Sequence, residues 1–167
     1  MKPVKLVGIQ YAALPYRLRG GRLSILLISS RRTRRWIIPK GWPIEGKKPH
    51  EAAAIEAHEE AGIEGEIAET PLGSYRYLKE VKDGQNLAVQ VIVFPLAVEG
   101  LAERFKEAGQ RTAAWFRYRH AANLVAEPAL RRLILDFGDA QSTNLLIRGL
   151  RRYRTWRFGT PTGDLPI

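Results

Sequence analysis

Glu56, Glu59 and Glu60 stand at i, i+3 and i+4 in a run rich in alanine (Ala52, Ala53, Ala54, Ala57, Ala61). On a helix these carboxylates share one face, with Cβ atoms about 5–6 Å apart. Like charges that close repel, and alanines offer no compensating partner. A divalent cation would offset the repulsion, and an oxygen-only ligand set selects Mg²⁺ or Mn²⁺ over softer ions. A solvated acidic helix face has the same spacing, so spacing alone leaves both readings open. The setting favours the cation. A Gly/Pro loop precedes the acids, Gly62 follows them, and a basic loop lies just upstream.

The rest of the chain is cationic. Lys and Arg number 27 against 17 Asp and Glu, a net charge of +10. Such a charge draws anions from several ångströms away, whether phosphate-rich small molecules, RNA or acidic membrane surfaces. Arg31, Arg32, Arg34 and Arg35 crowd one loop, and Lys40 and Lys47 flank the approach to the acids. A guanidinium grips a phosphate through two parallel N–H bonds, whereas an ammonium acts as a point charge. Arg31, Arg35, Lys40 and Lys47 are therefore candidate phosphate-binding residues. The absence of cysteine excludes a thiol nucleophile, a disulfide scaffold and a Cys-based zinc site. The three histidines, His50, His58 and His120, are too dispersed for a metal cluster. His58, two residues from Glu56, points off the carboxylate face, and His50 falls in a first helical turn, where positive charge is disfavoured. Glu103 and Glu107 read as surface charges with a secondary claim to act as a base. Tyr11 and Trp42 read as core aromatics, with base stacking as the alternative.

The elements that must position these groups follow from local pattern. Val7–Tyr16 and Leu23–Ile28 read as strands joined through Arg19-Gly20-Gly21-Arg22, a hairpin. Trp36–Pro39 is a short strand stopped by proline. Lys40–Lys48 is a loop. Pro49 suits the first position of a helix and Gly62 its end, so residues 50–61 form the acidic helix. Gly73–Leu78 and Leu87–Ala97 are two further strands around a turn at Lys82–Gln85, with Val89, Val91 and Val93 on the more buried face. Ala113–Tyr118 is another strand, Glu127–Phe137 a helix, and Thr143–Trp156 a separate basic amphipathic helix. The tail after Phe158 is irregular. At 167 residues the chain is one domain, able to bury roughly 70% of its unfolded surface.

With the acids, loop and strands in place, residues 41–63 resemble the signature of the Nudix hydrolases. Gly41 matches its first glycine, Glu56 the Glu of its Arg-Glu pair, Ala57 its small site, Glu59 and Glu60 its Glu-Glu pair, and Gly62-Ile63 its close. The resemblance extends over about Val4–Phe137 and departs at two positions. Lys47 replaces the first Glu of the signature and Ile55 replaces its Arg, two residues thought to brace the loop against the helix in the family. Ala12–Arg17, Leu27–Arg31, Arg35–Pro39 and Trp115-Phe116 are most similar to the diphosphoinositol polyphosphate phosphohydrolase branch, which also cleaves dinucleoside polyphosphates. Gln10 and Thr112–Ala114 depart from that branch, where more charge is expected.

The resemblance implies an α/β fold, a Nudix-type α/β/α sandwich with a mixed sheet and a loop–helix–loop catalytic motif over residues 1–140. A basic helix and tail over 141–167 would dock on the same domain or serve an oligomer contact. It implies Mg²⁺- or Mn²⁺-dependent hydrolysis of a phosphoanhydride in a polyphosphorylated small molecule: a dinucleoside polyphosphate, a diphosphoinositol polyphosphate or a nucleoside diphosphate derivative. Glu56, Glu59, Glu60 and Gly41 would hold the metal. Glu59 would complete the ligand set or accept a proton from the attacking water. Ser30 and Arg31 fall where the branch contacts phosphate. The alternatives are an RNA 5′-end pyrophosphohydrolase and a non-catalytic module that binds polyanions on the same fold. RNA and a second copy of the chain are further candidate partners. The longest apolar run, Val91–Val98, contains Pro95 and falls far short of the roughly 20 residues that cross a bilayer. No targeting segment stands out before Gln10, and the expected location is the cytoplasm.

Overall fold

The computed structural model describes residues 6–80 and 86–158. Among the described residues, eight strands and three helices follow one another as β1 (Leu6–Arg19), β2 (Arg22–Ser29), β3 (Trp36–Ile37), β4 (Lys40–Gly41), α1 (Pro49–Ala61), β5 (Ile63–Ile67), β6 (Gly73–Glu80), β7 (Asn86–Leu101), β8 (Ala113–Arg117), α2 (Tyr118–Leu124) and α3 (Pro128–Phe158). The expected turn at Lys82–Gln85 and the tail after Phe158 lie outside the described residues.

The expected β1–β2 hairpin forms, with Leu18 opposite Leu23 and Arg19 opposite Arg22. Its turn needs two residues at positive φ, and Gly20 (55°) and Gly21 (72°) supply them. β1 then runs parallel to β7 from Leu6 to Tyr16, which makes the sheet mixed. β5 and β6 pair antiparallel with successive stretches of β7. Pro95 falls between those two stretches, where its missing N–H breaks no ladder bond to β1. Its carbonyl accepts the Ala68 N–H at 3.0 Å, so that edge of the residue faces the β5–β6 connection.

Alternation along the strands divides the core into two layers. Ala13, Leu26, Ile28 and Leu96 pack with Ala57, Ala61 and Ile63 beneath α1. Ala12, Leu14, Ile25, Leu27, Val89, Val91 and Val93 face Ala121, Leu130, Ile134 and Phe137 of α2 and α3. The result is the expected α/β/α sandwich. The alanines of α1 do more than favour a helix. Ala52, Ala53, Ala57 and Ala61 are buried, and such small side chains let the helix axis settle close to the sheet. That close approach brings the acids of α1 against the short strand β4.

Five local expectations are corrected, the first being the loop expected over Lys40–Lys48, which opens on the short strand β4. Helices expected at Glu127–Phe137 and Thr143–Trp156 are one continuous helix, α3, which also runs through the expected boundary at 140/141. The Gly138–Thr143 stretch that reads as a break stays helical. The Ser142 hydroxyl donates to the Gly138 carbonyl at 2.9 Å and Thr143 to the Asp139 carbonyl at 3.0 Å, so both side chains are satisfied within the helix. A Cβ at Gly138 would overlap the ring of Tyr118, so the glycine serves helix packing rather than helix termination. The strand expected to reach Tyr118 ends at Arg117, where α2 begins, and β5 follows directly on Gly62; neither α2 nor β5 has a local signature strong enough to announce it. Trp42 is 41% exposed rather than core, lying over Gly8 with the Lys79 ammonium 4.8 Å from its ring. Tyr11 does pack edge-on to Phe94. Among the described residues, no helix is long and apolar enough to cross a membrane.

Candidate active site

β4 is the element that gathers the acids. Tyr11 pairs with Gly41 and Ala12 with Lys40, so this two-residue strand is pinned to β1 directly beneath α1. Glu56 and Glu60, one helical turn apart, each meet it. Gly41 is buried against Glu56, and a Cβ there would overlap the Glu56 carboxyl group. The Glu60 carboxylate accepts the Lys40 backbone N–H at 3.2 Å. Glu59 lies to the outer side, its side chain 34% exposed, and receives the Lys106 ammonium at 2.8 Å.

The three carboxylates differ in their partners. Glu60 is buried and ion-paired to Arg111 at 2.7 Å. Glu59 has Lys106. Glu56, half-buried, has no ion pair among the described residues, and its pKa is raised by burial and by neighbouring Glu59. No three Asp, Glu or His side chains among the described residues form a preassembled ligand set. A hard divalent cation nevertheless fits the chemistry. The donors are all oxygen, the backbone of Gly41 is stripped of a side chain where Glu56 meets it, and Glu56 is a partly desolvated carboxylate lacking a cation.

Burial pushes Glu60 up to about 7, even though Arg111, the Lys40 ammonium and the Lys40 N–H all pull it down. An unfolded Glu titrates near about 4.3. Between those values the folded chain holds a proton that the unfolded chain has released, so stability falls as the pH rises through this window. Metal-free thermal melts should show the wild type losing midpoint relative to Glu60→Gln from about pH 4.5 to about pH 7. A difference that is flat across that range would contradict the assignment.

The basic loop forms the adjoining wall. A cleft of about 520 Å³ is lined by Ser30, Arg31, Arg35 and Lys40, four of the five residues expected to bind phosphate, with Tyr77 and Glu127 among those across from them. The Ser30 hydroxyl shapes this loop, lying 2.7 Å from the Thr33 hydroxyl and accepting the Arg35 N–H at 3.1 Å. Arg34 takes positive φ (54°) in the same loop. Lys40 joins the two halves of the site. Its backbone holds Glu60, while its ammonium reaches the cleft and sits 5.1 Å from the Tyr77 ring. Burial lowers the Lys40 pKa, opposed by Glu60 and Glu127. Tyr77 is pushed up to about 12, mainly by burial and by Glu127. Lys47, by contrast, stands exposed in the turn closed by its N–H to Ile44, and it does not line the cleft.

Sequence reasoning missed Arg111, Lys106 and Glu127. The first two belong to the segment 102–112, which docks on the end of α1. The Ala102 N–H donates to the Gly62 carbonyl at 2.7 Å, and the Glu107 N–H donates to the Glu59 carbonyl at 2.9 Å. Glu107 pairs with Arg111 and Arg31, while Glu103 is exposed. The i,i+4 spacing of Glu107 and Arg111 was the one available signal, but it lies in a loop where such spacing carries little weight. His58 approaches Glu64, away from the acidic face as expected, and His50 in the first turn approaches Glu69.

The site is thus an acidic helix set beside a cationic cleft on a three-layered α/β fold. Residues 10–137 match the NUDIX domain family, and the chain belongs to that family. Over 133 residues it is 31% identical to Nudix hydrolase 21, chloroplastic, of Arabidopsis thaliana, a match covering 74% of this chain and 63% of that protein. It is 30% identical over 103 residues to diphosphoinositol polyphosphate phosphohydrolase 3-alpha of Mus musculus, covering 60% and 58%. The curated relatives are longer: the chain spans about three fifths of their length. The crystal structure of C. elegans Ap4A hydrolase shares the fold, with a TM-score of 0.57 at 22% identity over 80% of this chain and 96% of that one.

Proposed function

We propose that the chain is a divalent-metal-dependent hydrolase of phosphoanhydride bonds in polyphosphorylated small molecules. The observation that supports this reading is the junction at β4, where Glu56 abuts Gly41 and Glu60 accepts the backbone N–H of Lys40, a residue that lines the cationic cleft. A phosphoanhydride resists hydrolysis because its anionic oxygens repel nucleophiles, so catalysis is largely charge neutralisation and alignment. Arg31, Arg35 and Lys40 would neutralise and orient the phosphate chain along the cleft. Glu56 and Glu60, with the Gly41 carbonyl, would hold Mg²⁺ or Mn²⁺. Bound there, the ion would neutralise phosphate charge and lower the pKa of a coordinated water. Glu59 would complete the ligand set or accept the proton of that water.

The names of the relatives point to dinucleoside polyphosphates and diphosphoinositol polyphosphates as the substrates to try first. One observation favours the non-catalytic reading: Lys106 and Arg111 already neutralise two of the three acids. An assay decides between them. The protein is incubated with Mg²⁺ and a panel of diadenosine polyphosphates, inositol pyrophosphates, ADP-ribose and 5′-triphosphorylated RNA, with Glu60→Gln as the matched control. The hydrolase reading expects turnover of a small-molecule member that the control loses. Turnover confined to the RNA would move the assignment to 5′-end processing. Binding without turnover at every metal concentration would establish the polyanion-binding module.

A further inference from the structure

The acidic face of α1 is braced by segment 102–112 through Arg111. Arg111 spreads its guanidinium over three acceptors in three different elements. Nη2 donates to Glu60 Oε1 at 2.7 Å, Nε to Glu107 Oε2 at 2.8 Å, and Nη1 to the Ser29 carbonyl at 3.2 Å. Its side chain is 7% exposed and that of Glu60 is 9% exposed. The root of the arginine is itself fixed. The Ser29 N–H donates to the Thr112 carbonyl at 2.8 Å, and the Thr112 N–H donates to the Ser29 hydroxyl at 2.9 Å. Because the other Glu60 oxygen accepts from Lys40, the carboxylate is held at both ends, between β4 and Arg111.

We propose that Arg111 is a positioning residue for the acidic face, orienting the Glu60 carboxylate against β4. It rests on the hydrolase reading. Arg111 is buried and absent from the cleft wall, so it acts through Glu60 and not on substrate. The planar fork is essential, because an ammonium in its place is a compact point charge and does not reproduce three fixed bonds.

Arg111→Met and Arg111→Lys test this by two measurements. Mn²⁺ uptake by the metal-free protein is followed by electron paramagnetic resonance, and steady-state kinetics are measured with diadenosine tetraphosphate and Mg²⁺. In Arg111→Met, Mn²⁺ binding should weaken on the order of tenfold, as for other residues that orient a metal ligand, and kcat should fall by a similar factor at unchanged KM. The sign of the metal effect is the discriminator, because deleting a cation that acted only by its charge would strengthen uptake. Arg111→Lys keeps the charge and should show the same kcat loss; it carries the test alone if the methionine variant does not fold. Unchanged or tighter Mn²⁺ binding, a rise in KM alone, or wild-type kcat in the lysine variant would overturn the proposal. A wild type that takes up Mn²⁺ but hydrolyses nothing sinks the hydrolase reading and leaves the Mn²⁺ comparison standing. A wild type without uptake sinks both.

Discussion

Gly41→Ala should lower turnover about a hundredfold while lowering the melting temperature by only about 2–4 °C. The added Cβ would occupy the space now filled by the Glu56 carboxyl group and its Cγ. Those atoms are the far end of a flexible side chain, so the fold relieves the overlap by rotating Glu56 away at a cost of about 1 kcal/mol. Chemistry does not tolerate the same adjustment. A displacement of about 1 Å in a reacting constellation is enough to cost 10²-fold in rate. Thermal melts and kcat measured on one preparation check the two halves together. A variant that loses fold and activity in parallel would show that Gly41 is only a packing position. A variant with wild-type turnover would remove Glu56 from the site.

Glu56→Gln should move stability and activity in opposite directions. The Glu56 carboxyl has its pKa raised by burial and by Glu59, and it lacks an ion pair among the described residues. Its folded-state charge is therefore a liability at neutral pH. Protons favour the folded form most at low pH, and the benefit is lost as the pH rises through the raised pKa. Glutamine keeps the shape and removes the charge, so the metal-free protein should melt higher than wild type near pH 7. With Mg²⁺ and substrate the same change should lower turnover about a hundredfold, the range seen when a group stabilising transition-state charge is deleted. Stability sacrificed at a functional group is a recurrent trade-off. Glu59→Gln is the useful comparison, since Glu59 already has Lys106 and should gain no melting temperature. A Glu56→Gln variant that melts lower than wild type, or turns over normally, would contradict this account.

The contrast between Glu56 and Glu60 also explains why the site was only partly legible in the sequence. The i, i+3, i+4 spacing put three carboxylates within two turns of α1, of which Glu56 and Glu60 meet β4 while Glu59 lies to the outer side with Lys106. The spacing carried no information about their partners. Arg111 is separated from Glu60 by 51 residues and joins it only because segment 102–112 folds back over the end of α1. The cleft was more readable. Ser30, Arg31, Arg35 and Lys40 line it because three of them belong to one loop and the fourth to β4, the second strand after that loop. Lys47 does not, since the turn that carries it is directed outward. The break expected between residues 137 and 143 failed for a related reason. Gly138 is a poor helix former in isolation, but its missing side chain is what lets α3 lie against Tyr118.

The sequence by itself determined the acidic helix with its proline start and glycine end, the Gly20-Gly21 turn, the basic loop, and through them the family. Each of these rests on interactions within a few residues, where backbone geometry and spacing decide the outcome. The tertiary structure alone decided which carboxylate is buried, which is neutralised and which is left without a cation. Those properties depend on desolvation and on charges brought together from distant parts of the chain, and local sequence pattern carries neither.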